Sequence, residues 1–112
     1  MSFISQETLK NMRKKRAVEL DLSQYVGEPK KLLVRPIPFF DAVALHDLNE
    51  LAPGARVPKL VKALASASLD PSTLEPISEA ELSALFSELD QGEAQQLLGE
   101  LQKLAVRSTS GN

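Results

Sequence analysis

The run Leu32-Leu33-Val34-Arg35-Pro36-Ile37-Pro38-Phe39-Phe40-Asp41 constrains this chain more than any other segment. Pro36 and Pro38 cannot donate to a strand ladder, and they bias Arg35 and Ile37 away from helical geometry. A strand arriving through Leu32 and Val34 is stopped there, and a helix can begin no earlier than about Pro38. A strand-to-helix corner therefore sits about a third of the way along the chain.

Upstream of the corner, Ala17-Val18-Glu19-Leu20-Asp21-Leu22 alternates strictly. Val18, Leu20 and Leu22 share one face and Glu19 and Asp21 the other, the period of a half-buried strand. Ser23-Gln24-Tyr25-Val26-Gly27-Glu28-Pro29 is a turn-rich connection in which Gly27 can take positive φ. The pattern predicts a hairpin of about residues 17–22 and 31–37. Residues 5–16 are polar and basic, with Leu9 and Met12 as an i, i+3 apolar pair, and read as a short helix or an arm.

Downstream the period changes to that of helices. Over residues 39–51, Phe40, Val43, Ala44, Leu48 and Leu51 form one stripe, which Pro53-Gly54 is expected to end. A second helix over 57–69 places Val57, Leu60, Val61, Leu64 and Ala67 inward, with Pro58 tolerated in its first turn. A loop bracketed by Pro71 and Pro76 follows. Ser78 and Glu81 then have the spacing of a capping box for a helix over 79–89 that buries Leu82, Leu85, Phe86 and Leu89. Asp90 and Glu93 repeat that signal for a last helix over 91–106, which buries Ala94, Leu97, Leu98, Leu101, Leu104 and Ala105. The tail from Arg107 to Asn112 is polar and expected to be disordered.

A two-stranded hairpin is marginal alone and must lay its apolar face on something, here the helices. The expected architecture is α+β and mainly α: an N-terminal β-hairpin followed by about four short helices. Residues 1–16 form a basic arm or short helix, 17–106 one domain and 107–112 the tail. At 112 residues such a chain buries roughly two thirds of its unfolded surface. Cysteine is absent, which excludes disulfides and thiolate chemistry and fits a reducing compartment. No apolar run approaches the roughly 18 residues of a membrane span, and the start lacks the features of a signal peptide. A soluble intracellular protein is expected.

Charge is unevenly spread: residues 1–36 carry a balance of +4 and residues 37–112 one of −6. Copies of such a chain are expected to associate weakly head to tail, and added salt should shift sedimentation toward monomer.

Few residues suggest chemistry. His46 is the only histidine; it lies on or near the solvent face of its helix, and no nucleophile is spaced to use it. The segment from Asp70 to Glu81 superficially imitates a calcium loop. Leu74 at its fifth position offers no side-chain oxygen, and Glu75 stands where the sharp turn calls for glycine. Lys10, Arg13, Lys14, Lys15 and Arg16 could neutralise phosphates, yet no aromatic interleaves them and no recognition helix follows. A solvated face or mobile arm is the better reading. Phosphate loops, zinc motifs and serine elbows are absent, so an enzyme is not expected, and no cofactor or metal.

Phe39 and Phe40 point about 100° apart on a helix, so both cannot fill one stripe. Phe40 falls in the core stripe, where Phe40→Ser should unfold the domain. Phe39 is left at its edge, either covered by the hairpin or exposed for a partner.

The order of elements resembles the tail assembly chaperones of long-tailed bacteriophages. In that family a basic N-terminal segment leads to an alternating strand, a turn, and a second strand ending in a Val-Arg-Pro-Leu-like motif before a helix. Val34-Arg35-Pro36-Ile37 occupies that place here, and Phe39-Phe40-Asp41 opens the helix. Leu69-Asp70-Pro71 and Ser78-Glu79-Ala80-Glu81-Leu82 fit the family's later order, so the similarity covers roughly residues 10–106. Pro38 departs from it, standing where a serine-type cap is expected. The resemblance implies a non-catalytic protein of the host cell cytoplasm that binds the tape measure protein, keeps it soluble, helps recruit tail tube subunits and is left out of the mature virion. Phe39, with Phe3 and Ile4 in the N-terminal arm, are the candidate partner contacts, being large apolar residues outside the core stripes. The rival readings are a small nucleic-acid-associated regulator using the basic cluster and a structural virion component.

Overall fold

The computed structural model describes residues 3–45 and 53–106. Among the described residues nine elements follow one another: α1 (Gln6–Arg16), β1 (Val18–Asp21), α2 (Ser23–Val26), β2 (Lys31–Val34), α3 (Phe39–Leu45), α4 (Pro53–Ala67), β3 (Ser68–Leu69), α5 (Glu79–Glu88) and α6 (Gln91–Ala105). The fold is α+β and mainly α, as the change of period predicts.

The hairpin forms in the register that alternation requires. Leu20 stands opposite Leu32 and Val18 opposite Val34, so these four residues share one face, while Leu33, opposite Glu19, lies on the other. Gly27 ends the single turn of α2 at φ 77°, a conformation that costs a side chain its Cβ contacts and glycine nothing. That turn of helix lies inside the stretch read as a plain connection. Asp21 starts it by accepting from the Ser23 amide at 2.8 Å, and the Ser23 hydrogen bonds hold the Asp21 carboxyl below its ordinary pKa.

A third strand changes the sheet. The order is β1-β2-β3, all antiparallel, with Leu33 opposite Leu69 and Val34 opposite Ser68. β2 is thereby central, and Val34 is fully buried while Val18, its partner on the β1 edge, is 42% exposed. Residues 68–69 continue the helical spacing of Leu64, which is why the sequence reads them as helix. Pairing with β2 takes precedence, and the Ser68 hydroxyl satisfies itself on the Leu64 carbonyl at 2.7 Å.

α4 also starts earlier than expected. Pro53-Gly54, expected to end the previous helix, opens this one, with Pro53 at the first helical position, where its missing N–H is no loss. Pro58 is consequently inside the helix rather than in its first turn, and the ladder bond to residue 54 is not made. The expected end of α3 near residue 51, the stripe residues Leu48 and Leu51, His46 and the 107–112 tail lie outside the described residues.

The core gathers Leu20, Leu22, Leu32 and Val34 from the hairpin, Leu64 and Ala67 from α4, Leu82 from α5, and Leu97, Leu101 and Ala105 from α6. Both capping boxes are present, Ser78 with Glu81 and Asp90 with Glu93, each side chain bonding the other's backbone N–H. Of the inward positions expected on α4, Val57 is instead 61% exposed, because the core is built around the C-terminal half of that helix.

Candidate functional site

The corner after β2 is stitched to two helix ends. The Arg35 amide donates to the Ala67 carbonyl at 2.9 Å, and the Ile37 amide to the Ala105 carbonyl at 2.8 Å. Arg35 adds its guanidinium, whose Nε and Nη2 both donate to the Ser66 carbonyl at 3.1 and 2.8 Å. These bonds take up carbonyls that the last turns of α4 and α6 leave without helical partners. Pro36 and Pro38 have no N–H to give, so the backbone donors of the corner are those of Arg35 and Ile37. It is this anchoring that aims α3.

α3 leaves the corner with no buried residue along its length. Phe39 is 74% exposed and Phe40 82%. Their rings meet edge to face, with centroids 5.3 Å apart and planes at 72°. The placement of Phe40 in the core is therefore wrong. A stripe is buried only if a surface faces it, and α3 packs on α4, where Val43 is 49% and Val57 61% exposed. Of the two alternatives open for Phe39, exposure is the one realised.

α1 is a full helix, not a loose arm. Ser5 caps it, its Oγ accepting from the Thr8 amide at 3.1 Å. Arg13 ties it to the rest of the chain through Nε, which donates to the Leu74 carbonyl at 2.6 Å. Leu74 has φ 60°, in the left-handed region that a leucine adopts only under strain of about 1 kcal/mol or more. The loop holds it there by the Leu74 amide donating to the Asp70 carbonyl at 2.7 Å, and the turned carbonyl is what Arg13 reaches.

Between α1 and the corner runs a groove of about 650 Å³. Its apolar wall comes from Leu9 and Met12 of α1, and from Pro36, Ile37, Phe39 and Ala42 of the corner and α3. Arg13, Arg16 and Arg35 are its charged lining, with no acidic residue among them. Burial in the first place, and then the nearby Arg13 charge, lower the pKa of Arg35, while Asp41 partly offsets both. Leu9, Met12, Arg13 and Arg16 share one face of α1 because they recur three and four residues apart.

The structure thus brings Phe39 into a site and leaves the other two candidates out of it. Phe3 is fully exposed and Ile4 38% exposed; both precede the Ser5 cap and neither lines the groove. Sequence reasoning missed Phe40, Met12 and Arg35 as site residues, and read Arg13 and Arg16 only as part of a solvated basic cluster. Arg13 and Arg16 are legible in retrospect as the i, i+3 neighbours of the apolar pair Leu9 and Met12.

Other chemistry is sparse. Asp70 uses its Oδ1 to accept from the Ser72 amide at 2.7 Å, and Glu81 is engaged in its capping box. Among the described residues no group of three or more His, Cys, Asp or Glu side chains could hold a metal ion. No described helix is long and apolar enough to cross a membrane. No protein-family model matches the chain, and no curated protein or solved structure is significantly similar to it.

Proposed function

We propose that this chain is a non-enzymatic tail assembly chaperone of a long-tailed bacteriophage. In the host cytoplasm it captures apolar segments of the tape measure protein, keeps them in solution and helps recruit tail tube subunits, and it is absent from the finished virion. The observation that carries this reading is the Phe39–Phe40 pair, standing in solvent on an anchored corner beside a largely apolar groove. Contiguous exposed apolar surface on a small protein marks a place where another chain binds. Covering the two rings would yield roughly 6 kcal/mol before association and ordering costs, enough for reversible capture.

The regulator reading draws on the same arginines, but phosphates need no apolar wall, and Arg13 spends its Nε on Leu74. Co-expression with a tape measure fragment that is insoluble alone tests the proposal. The fragment should move to the soluble fraction and co-purify with the chain. A fragment that stays in the pellet at equal expression refutes the chaperone reading. Salt-sensitive binding to DNA in place of capture would favour the regulator.

A further inference from the structure

One edge of the sheet is β1, and the register identifies which of its backbone groups are free. The Leu22 amide donates to the Lys30 carbonyl at 2.8 Å, and Leu20 and Val18 stand opposite Leu32 and Val34. In an antiparallel ladder every second residue bonds across, so Val18, Leu20 and Leu22 direct their backbone groups at β2. Glu19 and Asp21 turn their N–H and C=O groups outward, and among the described residues none of these four groups has a partner. α1 does not cover them. It crosses toward the other edge, where Arg13 reaches the Leu74 carbonyl beyond β3 and Arg16 lines the groove at the corner. Val18, Glu19 and Asp21 are all exposed along the open side. Such an edge is a template for one more strand.

Charge selects the occupant. Lys31 of β2 meets Glu19 at 3.3 Å and also acts on Asp21, so one ammonium is shared by two carboxylates. A cleft of about 260 Å³ opens at the Asp21 end of the edge, lined by Leu20, Asp21, Gln24 and Glu100, with no cation among them. Both of its carboxylates accept from neutral donors, Asp21 from the Ser23 amide and Glu100 from the Tyr25 hydroxyl, which cancel no charge. A second β1 laid antiparallel on the first would set acid against acid, and like charges directly opposite destabilise a sheet. We infer that the free edge of β1 pairs with an extended segment of a protein partner that alternates apolar and basic residues. In antiparallel register its basic residues stand opposite Glu19 and Asp21, and its apolar ones lie beside Val18 and Leu20. Main-chain hydrogen bonds give the affinity, and the charges give the choice of segment. The inference goes beyond capture at Phe39, since the edge and the groove have no residue in common.

The test titrates fluorescent peptides of about seven residues, the length of an ordinary strand, into the full 112-residue chain. One peptide alternates valine and lysine. In a second the lysines are glutamate, and a third keeps the lysines but carries N-methyl groups on the amides that would face β1. The lysine peptide should bind about tenfold tighter than either of the others at low salt, and its lead over the glutamate peptide should narrow at high salt. Glu19→Gln combined with Asp21→Asn, which retains an oxygen for the Ser23 amide, should remove most of the preference for lysine and leave the effect of N-methylation. Phe39→Ser should change neither. Equal affinity for the lysine and glutamate peptides, binding that N-methylation does not weaken, or no binding at all would overturn the inference. Dimers of the chain that the lysine peptide competes apart would give the edge to a second copy and overturn the choice of occupant. Phe39→Ser acts on capture and not on this binding, so the chaperone reading and the edge reading fail separately.

Discussion

Two ends of this molecule are built from the same kinds of residue and treat them oppositely. Around β2, the C-terminal half of α4, α5 and α6, the side chains of Val34, Leu64, Leu69, Leu82 and Leu97 have at most 1% of their surface in solvent. Around α1, α3 and the start of α4, Phe39, Phe40 and Val57 are each more than 60% exposed. Helical periodicity is as regular in the second region as in the first. The difference is that β2 is flanked on both sides and covered by helices, whereas α3 leaves a tethered corner with little beyond α4 to lie against. Apolar spacing describes which residues could share a face, and only an opposing surface turns that face into core.

The widest gap between the two ends should appear on truncating one large side chain in each. Leu97→Ala in α6 removes a fully buried side chain from the centre of the cluster and should cost about 3 kcal/mol in chemical denaturation. A loss below about 1 kcal/mol would mean that the core is not where α6 meets the sheet.

A smaller effect is expected at Tyr25, which joins α2 to α6 by donating its hydroxyl to the Glu100 carboxylate. Tyr25→Phe should cost about 1 kcal/mol near neutral pH. Burial, and then the hydrogen bond and charge of Glu100, push the phenol up to about 12. A phenol with a folded pKa above its unfolded value of about 10 contributes fully below that pH, and its contribution is lost as pH climbs toward the folded value. The unaltered chain should therefore lose more stability than Tyr25→Phe between pH of about 10 and about 12. Parallel alkaline denaturation curves for the two proteins would contradict the Tyr25–Glu100 link.

The smallest change in stability belongs to the exposed corner. Phe40→Ser and Phe39→Ser should each stay within about 0.5 kcal/mol of the parent, as surface substitutions do, while reducing recovery of the soluble tape measure fragment. Unfolding by Phe40→Ser would restore the core position that helical spacing suggests and remove the contrast between the two ends. Unchanged recovery with both variants folded would detach the phenylalanines from capture.

Much of the core end was legible in the residues. Strict alternation located β1 and its apolar face, the capping boxes at Ser78 and Asp90 located the starts of α5 and α6, and the inward rows of those helices hold Leu82, Leu97 and Leu101. These features depend on neighbours within a few residues, where backbone geometry and capping hydrogen bonds are nearly independent of the rest of the fold. Of the candidate site, Phe39 was legible for a local reason as well: two adjacent helical residues cannot occupy one stripe.

By itself, then, the sequence determined a hairpin, a corner set by two prolines, and helices with marked starts, because each of these follows from dihedral limits and short-range periodicity. Only the tertiary structure decided that Ser68 and Leu69 form a strand, that Phe40 joins Phe39 in solvent, and that Arg13 and Arg16 meet Arg35 across an apolar groove. A two-residue strand has no period of its own and exists through its pairing with β2. Exposure depends on what lies opposite, and the three arginines converge because α1, β2 and α3 come together at one corner, contacts between segments that no local pattern specifies.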